Sequence, residues 1–186
     1  LDINVWDLIS LANRHPRVNI LFPGAGVGGH CIAVDPWFIV AACPDQARLI
    51  RTAREVNDYK PEWVLDQVGQ ALEELHRSQP GATRRDLTVA CLGVAFKPDI
   101  DDLRESPALG ITQRVVELGC MVQVVEPNIE SLPKGLQSDN VSLISLDEAL
   151  AQADVVCVLV KHKPFIHKAE SVKEKAMVID AVGLLA

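Results

Sequence analysis

The sequence predicts an α/β protein in which a helical N-terminal segment is followed by a doubly wound parallel sheet of about five strands. Apolar residues recur at helical spacing in the first part of the chain, and short apolar runs alternate with helical segments in the second. A polar stretch ending in a Pro-Gly turn signal, residues 78–85, separates the two parts. We therefore expect one unit over residues 1–80 and a Rossmann-like domain over 81–186.

The first part is predicted to hold three helices and one long loop. Residues 2–14 carry apolar side chains at helical spacing, and a loop over 15–34 follows. Two amphipathic helices are expected over 46–57 and 62–77, each with an apolar stripe and a charged face. Long helices of this kind often pair across subunits.

The second part alternates strands with helices. Its apolar runs are rich in Val, Ile and Leu, as expected for parallel strands covered on both faces, and ligands bind beyond the carboxyl ends of such strands. The strands are predicted at Leu87–Leu92, Met121–Val125, Val141–Ile144, Val155–Val160 and Ala176–Ile179. The helices are predicted at Pro107–Leu118, Leu146–Ala153 and Phe165–Lys173.

Composition narrows the function classes. The chain has 186 residues, of which 48% are hydrophobic, enough to bury a core. It contains no apolar run of 18 residues, so we expect no membrane span. The net charge of −7 and the lack of a basic cluster argue against a nucleic-acid partner. The start resembles a cut end rather than a signal or transit peptide, and we expect a cytoplasmic protein.

The five cysteines form no C-x-x-C pair, and their number is odd. This argues against a disulfide framework and against a metal site, and it predicts a reducing compartment. Cys91 and Cys157 lie in apolar runs and are expected to be small buried core residues. Cys31 is the cysteine with reactive neighbours.

Cys31 follows a glycine-rich loop, residues 24–29, with His30 beside it and Asp35 four residues on. Glycines let the main chain approach a ligand closely, so a thiol on such a loop suggests covalent chemistry. We interpret the loop as the wall of an active site. His30 is assigned a local structural role rather than that of a base for the thiol, because neighbouring side chains in an extended loop point apart.

The same glycines satisfy the G-x-G-x-x-G pattern of dinucleotide sites, which is the weaker interpretation. That pattern needs a strand before it and a helix that opens at its last glycine. Pro23 interrupts the approach, and Pro36 disfavours helix at Asp35.

The segment after the first predicted strand of the sheet carries two cations. Lys97, next to Phe96, can reach a sugar hydroxyl or a phosphate, and the planar fork of Arg104 suits phosphate or carboxylate. Ser106 is a good N-cap for a helix starting at Pro107. A solvated charged turn remains the alternative. His162, after the fourth strand of the sheet, is also assigned to a solvated turn.

Two long motifs resemble the UDP-glucose/GDP-mannose dehydrogenase family. The first is Gly-Val-Gly-Gly-His-Cys-Ile-Ala-Val-Asp-Pro-Trp-Phe at 26–38. The second is Gly-Val-Ala-Phe-Lys-Pro-Asp-Ile-Asp-Asp-Leu-Arg-Glu-Ser-Pro at 93–107. The resemblance covers the whole chain, and within the family it is strongest to bacterial enzymes acting on UDP-N-acetyl-D-mannosamine.

The resemblance implies a domain organisation. Family members have an N-terminal NAD-binding domain, a helical middle that dimerises and a C-terminal UDP-sugar-binding domain. Residues 1–80 are then the end of the middle part and 81–186 the UDP-sugar-binding domain. The NAD domain and the family's catalytic lysine and asparagine would precede residue 1, so we expect the chain alone not to turn over. NAD as cofactor and a homodimer through the helical segment are also implied.

The implied reaction oxidises the C6 alcohol of the nucleotide sugar twice to the uronic acid, for polysaccharide biosynthesis. Cys31 would form a thiohemiacetal and then a thioester, and Asp35 would assist hydrolysis. Val182 stands where relatives commonly carry Arg or Lys, which puts one substrate contact in doubt. The other implied substrate contacts are His15, Arg17, Phe22, Gly24, Gly26, Gly28, Phe96 and Lys97, with Arg104 contacting NAD. A non-catalytic nucleotide-sugar-binding or dimerisation module remains the alternative.

Overall fold

The computed structural model describes residues 3–79, 81–175 and 177–186. Three helices form the N-terminal part: α1 (Val5–Ala12), α2 (Asp35–Ala42) and α3 (Arg48–Ser78). The side chain of Asn4 caps α1 by accepting hydrogen bonds from the N–H groups of Trp6 and Asp7.

The strands of the chain, with helices between most of them, follow residue 86. The strands are β1 (Thr88–Leu92), β2 (Met121–Val125), β3 (Val141–Leu143), β4 (Val155–Val158) and β5 (Val178–Asp180). The helices are α4 (Pro107–Glu117), α5 (Leu146–Gln152), α6 (Lys163–His167) and α7 (Ala169–Lys173). Short 3-10 turns occur at Arg84–Asp86 and Lys134–Leu136.

The five strands form one parallel sheet in the order β3-β2-β1-β4-β5. In its register, Cys91 of β1 lies opposite Val124 of β2 and Cys157 of β4. The chain builds outward from β1 in one direction and then, from β4, in the other. The fold class predicted from the sequence is confirmed, and β1 and β4 are the neighbours at which the strand order reverses.

Alternate residues of each strand face the two sides of the sheet. Val89 and Cys91 belong to a core shared with α3 and α4, whereas Ala90 and Leu92 belong to a core shared with α5, α6 and α7. Both sides are largely apolar because helices cover both, which explains the near-continuous apolar runs in the sequence. Cys91 and Cys157 are fully buried, as predicted.

Two helix predictions were wrong. No helix was predicted at residues 35–42, because Pro36 was expected to disfavour helix at Asp35. The structure nevertheless has α2 there, and it begins at Asp35. A turn closed by the Cys31 carbonyl already fixes the Asp35 N–H, and proline is tolerated in a first turn because no N–H is needed there. The predicted helices 46–57 and 62–77 are one continuous helix, α3, with Pro61 inside it.

The other boundaries shift by a few residues. The predicted helix Phe165–Lys173 is split at Lys168 into α6 and α7. The start of the predicted first helix and Ala176 of the predicted fifth strand lie outside the described residues, as does Pro80 at the expected boundary. Division of the chain at residue 80 stays a prediction.

The second half of α3 packs on the sheet through buried residues that include Val68 and Leu72.

Membrane crossing would need a long apolar helix, and none of the helices within residues 3–79, 81–175 and 177–186 meets that need.

Candidate functional site

A cleft of about 270 Å³ lies between the segment at residues 22–26 and the carboxyl ends of β1 and β4. This is the topological switch point of the sheet, where α/β folds of this kind bind ligands. The cleft is lined by Phe22, Pro23, Gly24, Ala25, Gly26, Ala95, Phe96, Lys97, Pro98, Pro107, Ala108, Leu159, Val160, Lys161 and Val182.

The walls of the cleft combine apolar surfaces with two cations. The ring of Phe22 is stacked on that of Trp6, with centroids 6.3 Å apart. The Nζ of Lys161 donates a hydrogen bond of 2.6 Å to the Gly183 carbonyl, which holds this lysine at the rim. Lys97 is exposed, and its Nζ lies over the Phe96 ring, 5.5 Å from the ring centroid. Aromatic and aliphatic walls with two ammonium groups suit a flat or sugar-like ligand that carries phosphate.

The glycine-rich loop packs directly on the connection between β1 and α4. The Gly29 N–H donates a hydrogen bond of 3.2 Å to the Arg104 carbonyl. A side chain at Gly28 would collide with the Glu105 carbonyl and with Pro107. The φ of Gly29 is +90°, and a side chain there would press on the Phe96 ring. Glycine is needed at both positions because the two backbones approach so closely.

Cys31 is exposed, and its Sγ lies 3.0 Å from His30 Nδ1. The expectation that these neighbours point apart was wrong, because residues 30–34 form a tight turn instead of an extended loop. The Cys31 carbonyl accepts hydrogen bonds from the N–H groups of Val34 and Asp35, at 2.9 and 2.8 Å. Asp35 therefore stands in the first turn of α2, exposed and close in sequence to the thiol.

Asp102 and Arg104 form an ion pair beside this turn. The Arg104 Nε donates to both carboxylate oxygens of Asp102 at 3.0 Å, and its Nη2 donates at 2.6 Å. Hydrogen bonding to Arg104 lowers the pKa of Asp102 to about 2. The Phe96 N–H donates to the Asp102 carbonyl, so the ion pair is attached to the segment that lines the cleft. The Arg104 side chain is 65% exposed, which leaves its remaining N–H groups available to an anion.

A buried polar cluster lies behind the cleft. Glu126 directly follows β2, and its carboxylate accepts hydrogen bonds from the N–H groups of Val94 and Ala95 at 2.9 and 3.1 Å. His162 Nε2 lies 3.0 Å from the same carboxylate, and Asn128 donates to its other oxygen. The cluster fixes the main chain just before Phe96.

The prediction that His162 lies in a solvated turn was wrong, since the residue is 0% exposed. The Asp99 N–H donates to His162 Nδ1 at 2.9 Å, so the ring proton resides on Nε2 and is donated to Glu126. Burial opposes ionisation of Glu126, but hydrogen bonds from His162, Val94 and Asn128 outweigh it and hold the pKa of Glu126 below its ordinary value.

Comparison with known proteins finds a family model that matches each of the two parts of the chain. The model of the UDP-glucose/GDP-mannose dehydrogenase family, UDP binding domain, matches residues 90–186, more than half of the chain. The model of the central domain of the same family matches residues 1–59. The chain belongs to the UDP-glucose/GDP-mannose dehydrogenase family.

Individual members of this dehydrogenase family resemble the chain over nearly its whole length. It is 57% identical over 185 residues to a UDP-N-acetyl-D-mannosamine dehydrogenase of Escherichia coli, covering 98% of this chain and 43% of that protein. It is 53% identical over 186 residues to an NDP-N-acetyl-D-galactosaminuronic acid dehydrogenase of Ralstonia nicotianae, covering 99% of this chain and 41% of that protein.

The solved structure of a UDP-D-ManNAc dehydrogenase from Pyrococcus horikoshii superposes with a TM-score of 0.77 at 29% identity. The match covers 99% of this chain and 41% of that one. The chain thus spans about two fifths of the length of the relatives it matches.

The structure gathers part of the predicted site into the cleft. Phe22, Gly24, Gly26, Phe96 and Lys97 all line it. Val182, where the family resemblance puts one substrate contact in doubt, lines it as well. Their roles as substrate contacts stay predictions.

The remaining predicted residues lie outside that cleft. Gly28 packs on the β1–α4 connection, which contains Arg104, and Cys31 and Asp35 lie just after the loop, in the turn and at the start of α2. His15 and Arg17 form an exposed turn in which the Arg17 N–H donates to His15 Nδ1.

Sequence reasoning assigned Lys161 and its neighbours to a solvated turn and did not select Glu126, although both residues directly follow predicted strands. That position was itself a usable signal, since carboxyl ends of parallel strands form the ligand-binding edge.

Proposed function

We propose that this chain is the part of an NAD-dependent UDP-N-acetyl-D-mannosamine 6-dehydrogenase that binds the nucleotide sugar and supplies the nucleophile. The observation that carries the proposal is the cleft at the β1–β4 switch point, lined by Phe96, Lys97 and Lys161, in a chain of the nucleotide-sugar dehydrogenase family. The 57% identity to a UDP-N-acetyl-D-mannosamine dehydrogenase supports the choice of sugar, and the 53% identity to an NDP-N-acetyl-D-galactosaminuronic acid dehydrogenase indicates a competing sugar.

In this proposal the diphosphate lies near Lys97 and Lys161, whose ammonium groups are the cations of the cleft. The base packs on the apolar wall that Phe22 and Val182 contribute. The sugar then extends toward the glycine-rich loop and Cys31. The hydrogen bond from the loop to the β1–α4 connection holds the loop in place. His15 and Arg17, exposed on a turn of the helical part, are proposed to contact substrate from the partner copy.

The proposed reaction oxidises the C6 alcohol to an aldehyde and then to a carboxylate. The Cys31 sulfur adds to the aldehyde carbon, giving a thiohemiacetal whose oxidation yields a thioester. Water then cleaves the thioester, and we assign Asp35 to orient that water. NAD, when bound, is the hydride acceptor of both oxidations.

The described residues fit an edge contact to NAD and not a dinucleotide cradle. The glycine-rich loop leads into a turn, with α2 beginning six residues after Gly29, and the N–H groups after β1 are held by Glu126. The free N–H groups of Arg104 can bind a phosphate of the cofactor. We therefore assign NAD binding to a further domain of a longer protein, and expect this chain alone to be inactive.

A titration of this chain with UDP and UDP-N-acetyl-D-mannosamine tests the cleft. We expect saturable heat in calorimetry, weakened about tenfold or more by Lys97→Ala because a phosphate contact is lost. Lys173→Ala, an exposed lysine before β5 at the opposite edge of the sheet, is the matched control and leaves affinity unchanged. If the Lys97→Ala and Lys173→Ala variants bound UDP and the nucleotide sugar with equal affinity, the cleft would not be the binding site.

Turnover is tested in the longer protein that contains this chain. NADH release with UDP-N-acetyl-D-mannosamine should exceed that with UDP-N-acetyl-D-galactosamine, at two NADH per sugar. Cys31→Ser should stop the reaction before the second oxidation. Nucleotide-sugar binding without NADH release would favour the alternative, a non-catalytic binding or dimerisation module.

We also propose a homodimer through the helical part. Leu49, Val56, Tyr59 and Trp63 are exposed, 82, 68, 62 and 39% respectively, and their spacing places them on one face of α3. A contiguous apolar helix face of this kind is typical of a subunit interface.

A further inference from the structure

We propose that His30 is a catalytic residue, the group that accepts the proton of the Cys31 thiol when sulfur attacks. The proposal rests on the role of Cys31 under the proposed function. It starts from a contact that the amino-acid pattern did not predict, 3.0 Å between Cys31 Sγ and His30 Nδ1.

The turn geometry makes this contact specific. Because the Cys31 carbonyl accepts the N–H groups of Val34 and Asp35, residues 30–34 curl back and bring the two adjacent side chains to the same side. The Gly29 N–H is tied to Arg104, which fixes the start of the turn. The imidazole is thus attached to a rigid main chain, as a proton acceptor for a nucleophile needs to be.

Asp102 and Arg104 are charged groups that face the pair. Asp102 faces His30: Arg104 is the main cause of the lowered pKa of Asp102, and the positive charge of His30 adds to it. Arg104 faces Cys31: Asp102 is the main cause of the raised pKa of Arg104, and the negative charge of Cys31 adds to it. Asp35, in the first turn of α2, and Glu105, which lines a pocket together with Ala33 and Val34, are further carboxylates near the turn.

The step balances within these groups. The Sγ–H bond breaks and its proton moves to His30 Nδ1, while the sulfur lone pair forms a bond to the C6 carbonyl carbon. The carbonyl π electrons move to oxygen, which then takes the proton back from the imidazolium. The product is the thiohemiacetal, and no external oxidant or reductant is consumed.

The chain carries its own control thiol. Cys31 and Cys43 are exposed, whereas Cys91, Cys120 and Cys157 are buried. The variant Cys43→Ser keeps Cys31 as the exposed thiol, and Cys31→Ser keeps Cys43, so intact mass reports each alkylation rate with iodoacetamide separately.

At pH 6.5 we expect Cys31 to alkylate about fivefold or more faster than Cys43, because the imidazole 3.0 Å from its sulfur can take the thiol proton. In the Cys43→Ser background, His30→Gln should reduce the rate to that of Cys43. The rate profile of Cys31 against pH should keep a component below the range of an ordinary thiol, which titrates near 8.5, and His30→Gln should lose it. Because His30 is exposed, we expect His30→Gln to leave the melting temperature unchanged.

Equal rates of Cys31 and Cys43, or a His30→Gln variant that keeps the wild-type profile, would overturn the proposal. In the longer protein, His30→Gln should lower kcat about 10²-fold with little change in KM, and an unchanged kcat would overturn it equally. Alkylation does not depend on UDP or NAD, so failure of the nucleotide-sugar cleft and failure of the His30 role give different results.

Discussion

Glu126 shows how one buried side chain sets the geometry of the candidate site. Its carboxylate holds the N–H groups of Val94 and Ala95, and His162 holds the carboxylate in turn. These bonds fix the chain immediately before Phe96 and Lys97. A residue with no place in the proposed chemistry therefore positions two residues of the cleft.

Glu126→Gln should destabilise the chain by about 3 kcal/mol, because an amide nitrogen would face N–H donors that now reach a buried carboxylate. Urea unfolding followed by circular dichroism measures the change. Glu73→Gln, an exposed glutamate on α3, is the control and should stay within about 0.5 kcal/mol of the parent. Equal stability of the two variants would show that the buried cluster contributes nothing.

The parent and the Glu126→Gln variant should also differ in how their free energy of unfolding depends on pH. The pKa of Glu126 is lowered in the fold, so its contribution is complete above the ordinary carboxyl value, about 4.3, and is lost as the pH falls through the lower folded value. The stability gap between parent and Glu126→Gln should therefore be full at pH 7 and shrink at pH 3. A gap that stays constant from pH 7 to pH 3 would contradict an ionised Glu126.

The elements around the site were predicted unevenly, for identifiable reasons. The strands were found because Val, Ile and Leu dominate short runs, and α4 was found because Ser106 marks its N-cap. The Ser106 hydroxyl accepts from the Leu109 N–H and donates to the Val94 carbonyl. Local rules failed where tertiary contacts decide, as at Pro61 inside α3, where burial of the residues that follow keeps the helix continuous.

The site shows the same division. Motif residues such as Phe96 and Lys97 could be selected from the sequence, and the structure places them in one cleft. The contacts of His30 and His162 could not, because both depend on turns that bring the rings onto partners that no periodicity encodes.

The glycine-rich loop supports a prediction about backbone contact. Gly28→Ala should destabilise the chain by about 2 kcal/mol, because the added methyl group meets the Glu105 carbonyl and Pro107. Gly24→Ala is the matched control, since open space surrounds that position. Thermal unfolding of the two variants should differ by several degrees. Similar melting temperatures would mean that the loop does not pack on the β1–α4 connection.

At the scale of the whole molecule, the two parts differ in what they leave exposed. The sheet buries both of its faces under helices, whereas α3 leaves an apolar face open over its first half. The relatives are more than twice as long as this chain, so further protein surface is available in them to cover such a face.

Self-association should depend on that face. Light scattering after size exclusion should give the mass of a dimer for the parent, and Val56→Glu combined with Tyr59→Glu should give a monomer, because two charges cannot be buried against an apolar partner. Ile166→Glu, at an apolar residue on α6 that is 47% exposed, is the control and should leave the mass unchanged. A monomeric parent would reject the proposed homodimer.

The Glu126 carboxylate also distinguishes between two ligands that Rossmann-like sheets commonly bind, a dinucleotide and a nucleotide sugar. Amide groups after a first strand are the usual grip on a pyrophosphate, but here Glu126 already fills them. A tethered anion has an effective concentration that free metabolites do not reach. In the longer enzyme proposed above, excess dinucleotide would therefore not displace the nucleotide sugar from this edge of the sheet.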